Sequence, residues 1–171
     1  MLRLTSRKRT IAAFAVVAMV AVFAVSMVAY PVFATADPVT DQKTIELKAK
    51  GEAFQRADSN TINQYNVTLS LTLKLGGQGQ RTIMITNASG SIDVNGIVYT
   101  IESGKGLIGT KGHITILRCK GIDPDGNEIA LGIQVAYFWW GGKLYALRGG
   151  GLLRTSENPM LLWLRGVAKI Q

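Results

Sequence analysis

The segment from Gln64 to Leu75 alternates without interruption: Val67, Leu69, Leu71, Leu73 and Leu75 are separated by Thr68, Ser70, Thr72 and Lys74. A two-residue period sends successive side chains to opposite faces of a strand, so one face of this stretch meets a core and the other meets water. One-sided strands of this kind belong to antiparallel sheets, which need further strands of the same pattern.

Two hairpins supply them. Ser91 to Glu102 is divided by Asn95-Gly96, a pair suited to the two positive-φ positions of a type I′ turn. Its register pairs Val94 with Ile97 and Ile92 with Tyr99, so Ile92, Val94, Ile97, Tyr99 and Ile101 share a face. The second runs from Glu128 to Arg148 around Gly141-Gly142. With Trp140 opposite Lys143, Ile129, Leu131, Ile133, Val135, Tyr137, Trp139, Leu144 and Ala146 fall on one face, and Phe138, Trp140 and Tyr145 on the other.

The remaining strands follow the same period. Lys43 to Phe54 sets Ile45, Leu47, Ala49 and Ala53 against Thr44, Glu46, Lys48, Lys50 and Glu52. Arg81 to Thr86 and His113 to Lys120 are short strands. Met160 to Ile170 puts Leu162, Leu164, Ala168 and Ile170 opposite Trp163, Arg165 and Lys169. Arg56 to Asn63, Gly76 to Gly79, the glycine-rich Ser103 to Gly112, Asp123 to Gly126, and Gly149 to Pro159 read as turns and loops. The expected fold is all-β: an antiparallel meander of about 8–9 strands, with a barrel favoured over a two-sheet sandwich because closure removes open edges.

An apolar helix is expected ahead of this domain. Arg3, Arg7, Lys8 and Arg9 precede the uncharged run from Ile11 to Ala29, and Ala34-Thr35-Ala36 supplies a small-x-small triplet. Residues 1–36 thus read as a secretory signal cleaved before Asp37. The run spans roughly 28 Å as a helix, so the alternative is an uncleaved anchor that holds the chain in the membrane through residues 11–29. Either way residues 37–171 form a single exported domain, extracellular or on the outer face of the cytoplasmic membrane. Four of the 19 basic residues and none of the 11 acids lie in 1–36, which leaves 15 against 11 and a net charge of +4. That modest excess argues against a nucleic-acid partner.

Several motifs resolve into structural readings. Gly104-Lys105-Gly106-Leu107-Ile108-Gly109 has dinucleotide-loop spacing, but a strand follows it where a helix is required. His113 and Cys119 are the chain's single histidine and single cysteine. Roughly 20 Å of strand between them excludes a shared ion, and they read as a rim imidazole and a buried thiol. Asp123, Asp125, Asn127 and Glu128 offer oxygen ligands in a short stretch, the first place to look for Ca²⁺, although the glycine and the twelfth position do not match an EF-hand loop. No cofactor is otherwise implied. Asn66 and Asn87 head glycosylation sequons, used only where the host modifies exported proteins. No Gly-x-Ser-x-Gly is present.

Nine aromatic residues remain beyond position 36, and five of them are Tyr137, Phe138, Trp139, Trp140 and Tyr145. Amphipathic rings in such density suit stacking on a sugar, an apolar ligand or a membrane interface. The leading reading is a non-enzymatic extracytoplasmic β-domain that binds a ligand, an envelope component or a protein partner through this hairpin end. Two alternatives stand beside it: a membrane-anchored structural or assembly subunit, and a small exported hydrolase using Asp93, Glu102 or Glu128. Oligomerisation is open to either binding role.

The run Tyr-Phe-Trp-Trp-Gly-Gly-Lys-Leu-Tyr-Ala-Leu-Arg and the ending Leu-Trp-Leu-Arg-Gly-Val-Ala-Lys resemble small exported β-proteins of archaea that have no assigned activity. The resemblance covers the last third of the chain and implies an exported domain, with no site residues.

Overall fold

Alternation of apolar and polar side chains is satisfied here by closing one sheet on itself. Eight strands follow in order: β1 (Thr44–Arg56), β2 (Ile62–Gln78), β3 (Thr82–Val94), β4 (Ile97–Gly109), β5 (Ile114–Ile122), β6 (Glu128–Gly141), β7 (Leu144–Arg154) and β8 (Met160–Ile170). Each pairs antiparallel with the next, and β8 pairs with β1 to close the barrel. The computed structural model describes residues 43–58, 60–78, 81–109, 113–141 and 143–171, with Gln78 and Trp140 as backbone. The signal or anchor expected over 1–36, with its apolar helix, lies outside these residues. Among the described residues no helix is long and apolar enough to cross a membrane.

The inward rows make the core. Leu69, Leu73, Ile85, Ile92, Ile101, Leu117, Leu131, Leu153, Leu162 and Leu164 are all buried to within 2%. The outward rows of β1 and β2 are mostly polar, among them Glu46, Lys48, Lys50, Thr68, Ser70 and Thr72. A lipid-facing barrel carries the opposite pattern.

Asn95 and Gly96 adopt φ of 53° and 90°, and Val94 faces Ile97 as expected of a type I′ turn. The Asp93 carboxylate secures this turn by accepting from the Gly96 N–H at 2.7 Å.

Four expectations need correction. The short strand at Arg81–Thr86 and the arm from Ser91 form one strand, β3. Its ladder to β2 slips between Lys74 and Leu75, so that Ile85 and Ala88 both point inward, the phase change that a β-bulge produces. The glycine-rich stretch after Ser103 is strand as far as Gly109, with its own slip between Ile101 and Ser103. Gly149 to Gly151 are likewise inside β7, and Gly76 to Gln78, also read as a turn, inside β2. Merging these segments gives eight strands.

The fourth correction concerns the aromatic hairpin. Trp139 faces Tyr145 and Gly141 faces Leu144, with a register slip between the two pairs. Gly141 has φ of 139° and joins the ladder in place of the turn. This one-residue slip turns Tyr145 and Leu147 inward and Leu144 and Ala146 outward. In the two-residue-turn register Arg148 would point into the apolar interior, where an unpaired charge is costly. As built, Arg148 lies outside over the Trp163 ring, 5.3 Å from its centroid.

Inward glycines set how tightly the sheet coils. A β-carbon on Gly51 would lie 1.7 Å from the Trp163 carbonyl oxygen, and one on Gly121 would lie 1.9 Å from that of Thr100. Neighbouring backbones cross over these positions so closely that only hydrogen fits.

Candidate functional site

The meander divides the chain's chemistry between the two ends of the barrel. The turns after β2, β4 and β6 lie at the end where β1 begins and β8 finishes; the turns after β1, β3, β5 and β7 lie at the other. The first end carries Lys43, Arg81 and Lys143 just outside its strands, and the second carries Asp58, Asp123, Asp125 and Glu157. One end is basic and aromatic; the other is acidic.

At the aromatic end the structure separates the five rings singled out from the sequence. Tyr137 is half-buried in the barrel mouth, edge-on to Tyr145 (centroids 5.8 Å apart) and to His113 (5.3 Å). Its hydroxyl donates to the Gly109 carbonyl at 3.0 Å, and its N–H donates to the His113 carbonyl at 2.8 Å. Burial, with a smaller contribution from Tyr145, pushes the Tyr137 phenol above its ordinary pKa. His113 holds a left-handed φ of 50° at this corner. These three rings plug the mouth and fix the hairpin.

Phe138 and Trp139 do something different: they are 61% and 71% exposed, with Leu144 exposed beside them. Phe138 points outward and continues into an open groove of about 780 Å³ across β6, β7, β8, β1 and β2. Ala146 and Val167 give the groove an apolar floor, and Lys48, Lys50, Arg148 and Arg165 surround it. The result is an apolar strip bordered by cations. Trp140 is part of β6, described through its backbone.

At the acidic end, the loop considered for Ca²⁺ is a tight hairpin turn. Asp123 Oδ1 accepts from the N–H groups of Asp125 (3.0 Å) and Asn127 (2.8 Å), and Oδ2 accepts from Asn127 Nδ2 (3.0 Å). These bonds, that from the Asn127 side chain foremost, hold the Asp123 carboxyl below its usual pKa. Asp125, Asn127 and Glu128 are exposed. Among the described residues no group of three His, Cys, Asp or Glu side chains is placed to hold a metal ion. Of the carboxylates considered for hydrolysis, Asp93 serves its turn, and Glu102 and Glu128 are exposed.

Beneath these turns lies a cavity of about 400 Å³ that the sequence reading did not find. Tyr65, Tyr99, Val94, Ile97 and Met160 give it ring and aliphatic walls, with Asp123, Asp125 and Glu157 at its edge. Four turns far apart in sequence meet to form it.

Asn66 is exposed on β2 and Asn87 half-buried at the β3 bulge, so both sequon acceptors sit on strands. Cys119 is 4% exposed inside the barrel, and burial pushes its thiol up to about 12. At pH 8 so little thiolate survives that alkylation by iodoacetamide is expected to run about a thousandfold slower in the native protein than in denaturant. Equal labelling rates in the two states would show that the thiol is not enclosed.

Comparison with known proteins returns no matching family model, no matching curated protein and no matching solved structure.

Proposed function

We propose that this protein is a non-enzymatic extracytoplasmic β-barrel domain whose aromatic end binds an anionic, amphiphilic component of the cell envelope. The observation that carries the reading is the pairing of exposed Phe138 and Trp139 with an apolar strip ringed by Lys48, Lys50, Arg148 and Arg165. Aromatic rings settle at the boundary between headgroups and hydrocarbon, while lysine and arginine attract the anionic headgroups beside them. The chain also enters the barrel at this end, since β1 begins there. An anchor at residues 11–29 would thus be tethered to the aromatic end, which accommodates the membrane-held form of the same role.

The tryptophans provide the assay: Trp139, Trp140 and Trp163 are the whole set. Titration with vesicles containing anionic phospholipid is expected to blue-shift their emission, with quenching by headgroup-labelled lipid. Replacing Phe138 and Trp139 together by Ala should weaken this partitioning about tenfold or more, and high salt should weaken it in both proteins. A folded double variant that partitions like the wild type, or a wild type equally indifferent to anionic and neutral vesicles, would refute the assignment.

A further inference from the structure

The cavity at the acidic end has its own chemistry, independent of the aromatic end. Its described lining includes Asp123, Asp125 and Glu157 and contains no lysine or arginine. Carboxylates alone would be an ordinary wet rim. Tyr99 adds to them: its side chain lines the cavity and is only 6% exposed, while its hydroxyl, which makes no hydrogen bond among the described residues, opens onto the cavity, since no enclosed side-chain oxygen or nitrogen there lacks a partner. That hydroxyl is open to hydrogen bonding with whatever fills the cavity, water in the empty site and a polar group of a ligand in the filled one.

The surroundings define what that is. Burial raises the Tyr99 phenol above its usual pKa, and the nearby charges of Glu157 and Asp123 raise it further. Negative potential therefore reaches this hydroxyl at the cavity wall and favours positive charge beside it. A metal ion is poorly served, because both Asp123 oxygens are engaged in their turn and no three ligating side chains converge among the described residues. An organic cation needs less coordination: its charge can rest between separated carboxylates and over ring faces while its body fills the apolar walls.

The site is also held in place. Gln55 Nε2 donates to the Asn158 carbonyl at 3.1 Å, and Asn158 Nδ2 donates to that of Arg56 at 3.4 Å, which fastens the turn bearing Glu157 to the end of β1. Gln55 Oε1 accepts from the Tyr65 hydroxyl at 3.4 Å and positions that ring.

We propose that this cavity binds a small organic ammonium ion, its apolar body against Tyr65, Tyr99 and Met160 and its charged group toward Glu157 and Asp123, with the Tyr99 hydroxyl accepting from an ammonium N–H. Calorimetric titration of the full-length protein with phenethylammonium is the direct test. Its neutral isostere 2-phenylethanol and the anion 3-phenylpropanoate serve as comparisons. Phenethylammonium should bind at least about tenfold more tightly than the alcohol, and the anion should not bind. Glu157→Gln, a change at an exposed turn position, should cut the ammonium affinity about tenfold. Tyr99→Phe should also weaken it, whereas Trp139→Ala, at the far end, should leave it unchanged. Absence of ammonium binding at roughly 10 mM, equal binding of the alcohol, or full affinity in Glu157→Gln would each overturn the assignment. None of these outcomes depends on whether the aromatic end meets a membrane.

Discussion

Gly51→Ala is expected to unfold the barrel or to cost at least about 4 kcal/mol, well beyond an ordinary substitution. The added β-carbon would lie 1.7 Å from the Trp163 carbonyl oxygen and 2.8 Å from its carbon. No rotamer escapes this, because the obstacle is backbone and a β-carbon has no torsion to turn. Relief requires parting β1 from β8, whose ladder runs from Ile45–Ile170 to Gln55–Met160. Thermal unfolding followed by circular dichroism should show a midpoint lower by roughly 15 °C, or no cooperative transition. Gly96→Ala is the control: its φ is 90°, but nothing lies within 4 Å, so only backbone strain of about 1 kcal/mol is incurred. A Gly51→Ala midpoint within a few degrees of wild type would show that the seam is looser than described.

The second large effect is expected at Leu164, which is fully buried. Its ladder partners are Gly51 on β1 and Gly149 on β7. The leucine therefore fills interior volume that neither neighbour in the sheet can supply. Truncated to alanine, it leaves a hole bordered by residues with no side chain to collapse into it, so the cost should fall near the upper end of the usual 2–5 kcal/mol, about 4 kcal/mol. Urea unfolding measures this directly, and a loss below about 1.5 kcal/mol would contradict it. Combining Leu164→Ala with Gly51→Ala should bring no rescue. The space opened by the first lies in the core, and the obstruction created by the second is a carbonyl group.

These glycines also explain where the sequence was hard to read. Alternation placed β1, β2 and β8 on their correct faces, because Leu69, Leu71, Leu162 and their like carry the pattern in every second position. The barrel and its meander order followed from the same signal. At Gly104–Gly109 and Gly149–Gly151 glycine's low strand preference suggested loops. The interior demanded glycine at Gly106, Gly149 and Gly151, where a neighbouring backbone approaches closely, and at Gly104, where Cys119 and Ala88 fill the space, and nothing local to either stretch records that demand. The aromatic hairpin was legible as a hairpin, but its one-residue slip depends on keeping Arg148 out of the core, a condition set by the closed barrel. The acidic-end cavity was harder still: Tyr65, Tyr99, Asp123 and Glu157 lie in four separate hairpins, and only the circular strand order brings them together.

The seam between β1 and β8 bears on how such a chain is made. Strands two to seven can zip to their predecessors as they emerge, but the pairing of Ile45 with Ile170 waits for almost the last residue. Until then a growing chain is an open sheet with two unpaired edges, the arrangement most ready to add a strand from a neighbour. Contacts that span nearly the whole sequence also form slowly. The interval between completion of synthesis and closure is therefore the moment of greatest exposure to misassembly, and a chain ending before Met160 would never leave it.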